Sequence, residues 1–515
     1  MISGELLKEA GLESLDVPSE RVFPGVSTDT RKIERGQLFF CLEGPNFDAH
    51  AFVFEAFQKG AAAVVIARDK KEAVAQSIRK KLSEPGSVAL SEGLSLQDYL
   101  GRILMCQDPL ASLQKLAHLH RKRQGYTVFG ITGSNGKTSA KEMLLGMLSH
   151  LLGEPAVDAT RGNLNNHIGL PLTLLNFKAG ISHAIVEMGM NHAGEIDALS
   201  KISEPDHGLI TSIGRAHIEF FYSKRGIARA KQEMTLHCRR WLSYPVAGIG
   251  KSSLLRKSLQ DGSPGIALFG FEEDASWKAV PARIIQNNLW TFFKAKNLEF
   301  GPAGIGFEIE IEGKFHRIEN GHYFSRVQAE NLLGCIATLL KAGFSTEDVL
   351  EAARFAAPVS GGRFHIIKKD ERVLVDDTYN ANPDSFLAAI DSLRKMLPEG
   401  KLLCLAGSMA ELGQNSDSAH QEVGRALKQS SYEIQATGPA GGHYLEGFGL
   451  DSGAFSSDAT ADGLARFFFP NSEDLADHIE RYPQYYLSFD GILAKGSRSA
   501  RMERACDALK RIGYV

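Results

Sequence analysis

Hydrophobic and polar positions along the chain alternate between short apolar runs and longer amphipathic stretches, the pattern of strands interleaved with helices. In residues 1–106, the runs 37–42 (QLFFCL) and 61–67 (AAAVVIA) read as strands and 52–58 as a helix, which predicts a small α/β domain. A helical pattern over 110–123 then precedes a strand at 126–132 (YTVFGIT), a glycine-rich turn and a helix at 139–152. Strand, loop and helix in that order begin a parallel sheet, and the apolar runs 184–188 (AIVEM) and 208–213 (GLITSI) extend it. Between 240 and 320 the signal weakens, although the alternation at 306–311 (GFEIEI) predicts an antiparallel edge. After Pro358, strands at 373–375 and 402–406 and helices at 385–396, 418–429 and 501–511 predict another α/β unit. The expected fold is therefore α/β with three domains: 1–106, a central parallel-sheet domain 107–356, and a Rossmann-like domain 357–515.

The 515 residues fit that count, since domains typically hold about 100–200 residues each. With 43% hydrophobic and 23% charged residues, the composition is that of a folded globular protein. A net charge of −3 gives no global basic field for nucleic acid or an anionic membrane, and the basic run from His120 to Arg123 reads as a solvated helix face. Cys41, Cys106, Cys238, Cys335, Cys404 and Cys506 are scattered, without the close spacing of a zinc site, and read as reduced, buried thiols. The first twenty residues lack a secretory apolar core, and no run approaches the ~18 apolar residues of a membrane span. The expectation is a cytoplasmic protein that neither enters a membrane nor binds nucleic acid.

Chemistry concentrates at residues 130–138 (GITGSNGKT), between a predicted strand and a predicted helix. There Gly133, Ser134, Asn135 and Gly136 can turn backbone N–H groups towards phosphate oxygens, Lys137 can reach the terminal phosphates, and Thr138 can hold Mg²⁺. The strict pattern GxxxxGK[ST] fails at one position, where Ile131 replaces glycine. Glu187 ends a predicted strand, where open α/β sheets bind ligands, and it suits a metal or an ion pair equally. His217 follows another strand, and a lone histidine reads more readily as structural than as a Mg²⁺ ligand. Lys231 lies in a helical stretch and by spacing alone is a surface lysine; Asn163, Asn165 and Asn166 form a loop that suits substrate contacts or Asx-turns. Nucleotide binding follows from the loop, and the reaction does not: an amide ligase and a non-ligating ATPase switch both remain open.

Taken together, these stretches resemble the Mur ligase family. Residues 376–386 (DDTYNANPDSF) are similar to the signature of the member that adds D-alanyl-D-alanine. The likeness extends over 27–42 with 46–50, 187–196 (EMGMNHAGEI), 407–424 and 495–503 (KGSRSARME), which disfavours a different Mur ligase or a folylpolyglutamate-synthase-like enzyme. It implies ATP-dependent ligation of D-alanyl-D-alanine to UDP-N-acetylmuramoyl-tripeptide through an acyl phosphate, in peptidoglycan precursor synthesis, by a monomer. By resemblance, the first domain holds the UDP moiety through Thr30, Arg31, Phe47, Asp48 and His50, the central domain binds ATP, and the third completes the ligase. Thr138, Glu187 and His217 match positions linked to two Mg²⁺ ions, and Lys231 matches a carbamylated lysine, so Lys137, Lys231 and His217 are the implied catalytic group. Asn331 and Arg363 match nucleotide contacts, while Asn163, Asn165, Asn166, Asn382 and Lys495 match substrate-side motifs. His167, Ser408, Val327 and Gln328 depart from the family pattern.

Overall fold

The computed structural model describes residues 1–14, 17–84, 95–251, 264–280, 289–358, 361–450 and 466–515. Three sheets organise the chain. The first joins β1 (Glu13–Ser14), β2 (Val26–Ser27), β3 (Leu38–Phe40), β4 (Ala63–Ala67) and β5 (Ile103–Cys106) in the order β1-β5-β4-β3-β2. Every residue of β3 and β4 is buried, which is why both read as unbroken apolar runs rather than alternating ones.

Helix α1 (Pro109–Arg123) leads into the central sheet, its N-terminus capped by Asp108 with proline in the first turn. The sheet comprises β6 (Thr127–Thr132), β7 (Val157–Ala159), β8 (His183–Glu187), β9 (His207–Ile210), β10 (Trp241–Pro245), β11 (Gly265–Phe271), β12 (Trp290–Gly301), β13 (Gly304–Ile311) and β14 (Lys314–Asn320). Its order is β7-β8-β6-β9-β10-β11-β12-β13-β14. The pairs from β7 to β12 are parallel, and β13 and β14 continue as an antiparallel extension, which carries the GFEIEI alternation. Because β6 lies between β8 and β9, the chain leaves it first to one side and later to the other. That reversal opens a crevice at the carboxyl ends of these three strands.

Helices α2 (Lys137–Leu152), α3 (Glu195–Ser203), α4 (Lys224–Lys231) and α5 (Arg326–Ala342) cover the central sheet. Apolar side chains of α2 and α5, including Met143, Leu144, Leu332 and Ile336, share one core with Phe129, Ile131 and Leu209 of the strands. The third sheet runs β15-β16-β20-β17-β18-β19, from β15 (His365–Lys369), β16 (Arg372–Asp377), β17 (Leu402–Gly407), β18 (Tyr432–Thr437), β19 (Phe468–Phe469) and β20 (Gly491–Lys495). All its pairs are parallel except β15 with β16, and α6 (Pro383–Met396) and α7 (Ser416–Gln429) pack on it. The α/β expectation holds in all three sheets.

The solvated reading of the basic run fails. His120 and Arg121 are buried, not solvated; the Arg121 guanidinium donates to Asp206 at 2.9 Å and to the carbonyls of Ser203 and Glu204. Only Lys122 and Arg123 of that basic run are exposed. All six cysteines are free and buried, and among the described residues no helix is long and apolar enough to cross a membrane.

Candidate active site

The glycine-rich turn begins where β6 ends, and its geometry explains the departure at residue 131. Ile131 is wholly buried in β6, so the turn starts later and is shaped by Gly133 and Gly136. A Cβ on Gly133 would collide with the Thr211 hydroxyl; Gly136 has φ +81°, and its Cβ would lie 2.4 Å from Asn331 Nδ2. Only glycine fits this close approach. Neighbouring strand ends brace the turn: Ser134 N–H donates to the Ser212 carbonyl (3.0 Å), and Asn135 N–H to Ser212 Oγ (2.9 Å). Lys137, the first residue of α2, folds back so that Nζ donates to the Gly133 carbonyl at 2.8 Å.

Across the turn, Glu187 stands at the end of β8 with only 2% of its surface exposed. Thr138 Oγ1 donates to its Oε2 (2.7 Å), and Asn165 Nδ2 to its Oε1 (2.8 Å). Each carboxylate oxygen thus accepts one of these bonds and keeps electron pairs free, and no basic residue forms an ion pair with it among the described residues. Burial drives the Lys137 ammonium below its ordinary pKa, partly offset by the charges of Glu187 and Glu411.

Lys231, last residue of α4, is 1% exposed and has no hydrogen-bond or ion-pair partner among the described residues. Burial, helped by the nearby positive charge of Lys137, depresses its pKa well below the ordinary lysine range. The reading of a solvated surface lysine is overturned. His217, in the left-handed region at φ +61°, places Nδ1 2.6 Å from Glu411 Oε2, although the angles are not those of a hydrogen bond.

A cleft of about 770 Å³ lies between the central and C-terminal sheets. Lys137, Glu187 and His217 line one wall; Arg363 and Lys495 line the other. Arg363 stacks over the Tyr379 ring at 3.9 Å, and Lys495, at the end of β20, pairs with Asp377 at 2.5 Å. Asn382 caps α6 and donates to Asn135 Oδ1 of the glycine turn at 2.5 Å. Asn331 is buried beside Gly136 with its Nδ2 unpartnered, so the cleft keeps a donor available for a ligand.

The asparagine loop divides. Asn165 secures Glu187 and lines the cleft, Asn166 also lines it while its Oδ1 accepts from the N–H of Gly169 (2.8 Å), and Asn163 is exposed outside it. The five N-terminal candidates lie outside the cleft lining too. Thr30 donates to Glu55 (2.9 Å), exposed Arg31 pairs with Asp29 (2.8 Å), and exposed Phe47 stacks on Phe52. Asp48 orients His50, whose Nε2 accepts from Ala67 N–H (3.0 Å). Of the departures, His167, Val327 and Gln328 line the cleft, whereas Ser408 supports the Ala440 turn.

Two family models match the chain: the Mur ligase middle domain over residues 131–339, and the Mur ligase, glutamate ligase domain over 362–498. The UDP-N-acetylmuramoyl-tripeptide--D-alanyl-D-alanine ligase of Bacillus subtilis is 33% identical over 83% of this chain and 83% of its own length. The chain belongs to the Mur ligase family. The Escherichia coli ligase of the same name is 30% identical over 95% of this chain and 94% of its own. A crystal structure of MurF from Acinetobacter baumannii superposes with a TM-score of 0.75 at 26% identity, covering 99% of both chains. In this Mur ligase, the glycine turn and Glu187 fall in the middle-domain match, and Arg363 and Lys495 in the other.

Residues that sequence reasoning gave no role also stand at this seam. Glu411 faces His217, Tyr379 carries Arg363, and Arg215 pairs with Asp384 and Glu422. Glu411 and Tyr379 lie within the stretches that carried the resemblance, and that position was the available signal. Arg215 had none, because its partners come from two distant helices.

Proposed function

We propose that this chain joins D-alanyl-D-alanine to UDP-N-acetylmuramoyl-tripeptide at the expense of ATP, in peptidoglycan precursor synthesis. The observation that carries the reading is the cleft, where a phosphate-type glycine turn and a buried carboxylate face cationic groups of the second family domain. A carboxylate is a poor electrophile, so its oxygen first takes the γ-phosphoryl group and releases ADP. The dipeptide's amine then attacks the carbonyl carbon and expels phosphate, leaving an amide. Lys137 neutralises charge on the phosphoryl oxygens, the glycine turn positions them, and the cleft walls exclude water that would hydrolyse the acyl phosphate.

The oxygens of Glu187 and Thr138 suit Mg²⁺, a hard cation, with His217 beside them. When bound, the ions screen negative charge between the phosphates. Lys231 would join this set as a carbamate: its neutral amine adds to the carbon of CO₂, loses a proton, and becomes an anionic oxygen donor near Lys137. Asn331 and Arg363 hold the nucleotide, and Asn165, Asn166, Asn382 and Lys495 face the peptide. Thr30, Arg31 and the turn from Phe47 to His50 take the UDP end, where the exposed Phe47–Phe52 stack offers a flat apolar surface. The protein acts as a monomer in the cytoplasm. Incubation with ATP, Mg²⁺, a UDP-tripeptide series and D-alanyl-D-alanine, read by mass spectrometry, should show a dipeptide mass gain that requires all components. Absence of that product from folded protein that still binds ATP would reject the assignment.

A further inference from the structure

The glycine turn and the C-terminal sheet belong to different bodies, yet they are tied together just outside the cleft. Arg215 follows Gly214, whose N–H donates to Ser134 Oγ of the turn at 2.8 Å. Its own N–H donates to Asp384 Oδ2 (2.7 Å), and Nε to Asp384 Oδ1 (2.8 Å). The two terminal nitrogens fork onto Glu422, at 2.5 and 3.2 Å. Asp384 lies in the first turn of α6 and Glu422 on α7, so a single guanidinium holds two C-terminal helices. Neither Arg215 nor its two acids line the cleft. The Arg215 and Asp384 side chains are mostly shielded, at 23% and 27% exposure, while Glu422 is more open at 38%, so the bonds to Asp384 are stronger than an open surface pair.

We infer that Arg215 is a positioning residue that latches the C-terminal body over the glycine turn, setting how much of the enzyme has Arg363 and Lys495 facing Lys137. It touches no reacting atom. Asp384 lies two residues beyond Asn382, which itself meets Asn135 of the turn, so releasing the latch loosens the wall that carries the substrate-side groups. The kinetic part of this inference rests on the ligase reading; the conformational part does not.

The test uses spin labels on Lys178→Cys and Asp477→Cys, both exposed positions, because the six native cysteines are buried and remain unlabelled. Double electron–electron resonance without substrates should give one dominant short distance in the parent. Arg215→Ala should broaden and lengthen it, with Arg215→Lys between the two. Ligation by Arg215→Ala should fall about 10- to 100-fold in kcat/KM, the range for losing charge-assisted bonds, and the Arg215→Ala/Glu422→Gln double variant should lose less than the two single losses combined. Should Arg215→Ala fail to fold by circular dichroism, Asp384→Asn and Glu422→Gln carry the same measurements. A distance distribution identical to the parent's overturns the latch, whatever happens to activity. An inactive parent that still shows the distance shift would reject the ligase reading and leave the latch standing.

Discussion

Replacing Gly136 with alanine is the sharpest test of the glycine turn as a phosphate cradle. The residue sits at φ +81° and ψ −1°, and an L-residue there costs about 1–2 kcal/mol. The new Cβ would also lie 2.4, 2.6 and 2.9 Å from Nδ2, Oδ1 and Cγ of Asn331. Asn331 is 3% exposed and anchored on α5, so it cannot swing into solvent, and the turn must move instead. Because the turn relaxes in the free variant and must be restored to hold phosphate, that strain corresponds to about 5- to 30-fold weaker nucleotide binding, and displacement of Lys137 adds to it. Gly146 provides the control: it lies inside α2 with nothing within 4 Å of an added Cβ. Gly146→Ala should stabilise the helix by roughly 0.5–1 kcal/mol and leave binding unchanged. Titration calorimetry with a non-hydrolysable ATP analogue and Mg²⁺ measures both variants. Binding by Gly136→Ala within about twofold of wild type would refute the cradle.

Two further predictions follow from buried nitrogen groups. Lys231→Ala should lose most ligase activity and regain part of it with a short-chain carboxylic acid, and ¹³C-bicarbonate should give a carbamate resonance in wild type alone; wild-type turnover by the variant would remove the carbamate role. His207 is 1% exposed, stacks on Phe129, and has no partner for either ring nitrogen among the described residues, and burial pushes its pKa down to about 4. Because the unfolded histidine titrates near 6.5, the fold loses stability as pH falls from about 6.5 towards 4, by about 3 kcal/mol in all, and loses none of this term above 6.5. His207→Leu should flatten that acid limb in denaturant melts between pH 7 and 5, and an unchanged slope would show that other groups cause it.

The legible parts of this protein are those fixed by short stretches of chain. Lys137 and Thr138 announce themselves because a buried strand, a glycine turn and a helix are consecutive, and Glu187 because an apolar run ends on it. Lys231 does not. Its helix carries Lys224, Arg225 and Arg229 as well, so its polarity reads as surface, and only the packing of α4 against the sheet buries that one amine. Arg121 fails for the mirror-image reason: a basic run implies solvent, but Asp206 and two carbonyls arrive from residues 203–206 to receive the guanidinium. Of the stretch 240–320, residues 252–263 and 281–288 lie outside the described residues; at 290–301 the weak signal reflects mixed burial in β12, whose inward and outward positions do not alternate cleanly. Arg215 is invisible for a third reason, since its value depends on which two bodies meet.

Lys137 and Lys231 show how one site can depress two lysines to different extents. Burial penalises both ammonium groups, and a neighbouring cation adds to it at each: Arg363 for Lys137, and Lys137 for Lys231. Lys137 has compensation: the Gly133 carbonyl accepts its hydrogen bond, and the charges of Glu187 and Glu411 favour its cationic form. Lys231 has none of these, so its pKa is pushed well below the ordinary lysine range. A cation is what a phosphoryl group needs in front of it, and an unprotonated amine is what addition to CO₂ requires. In the carbamate proposed above the sign at Lys231 would reverse, its repulsion by Lys137 would become attraction, and Lys137 would be held as a cation more firmly than by Glu187 and Glu411 alone. On that proposal loading of Lys231 and phosphate binding by Lys137 are coupled, and removing either charge should weaken the other.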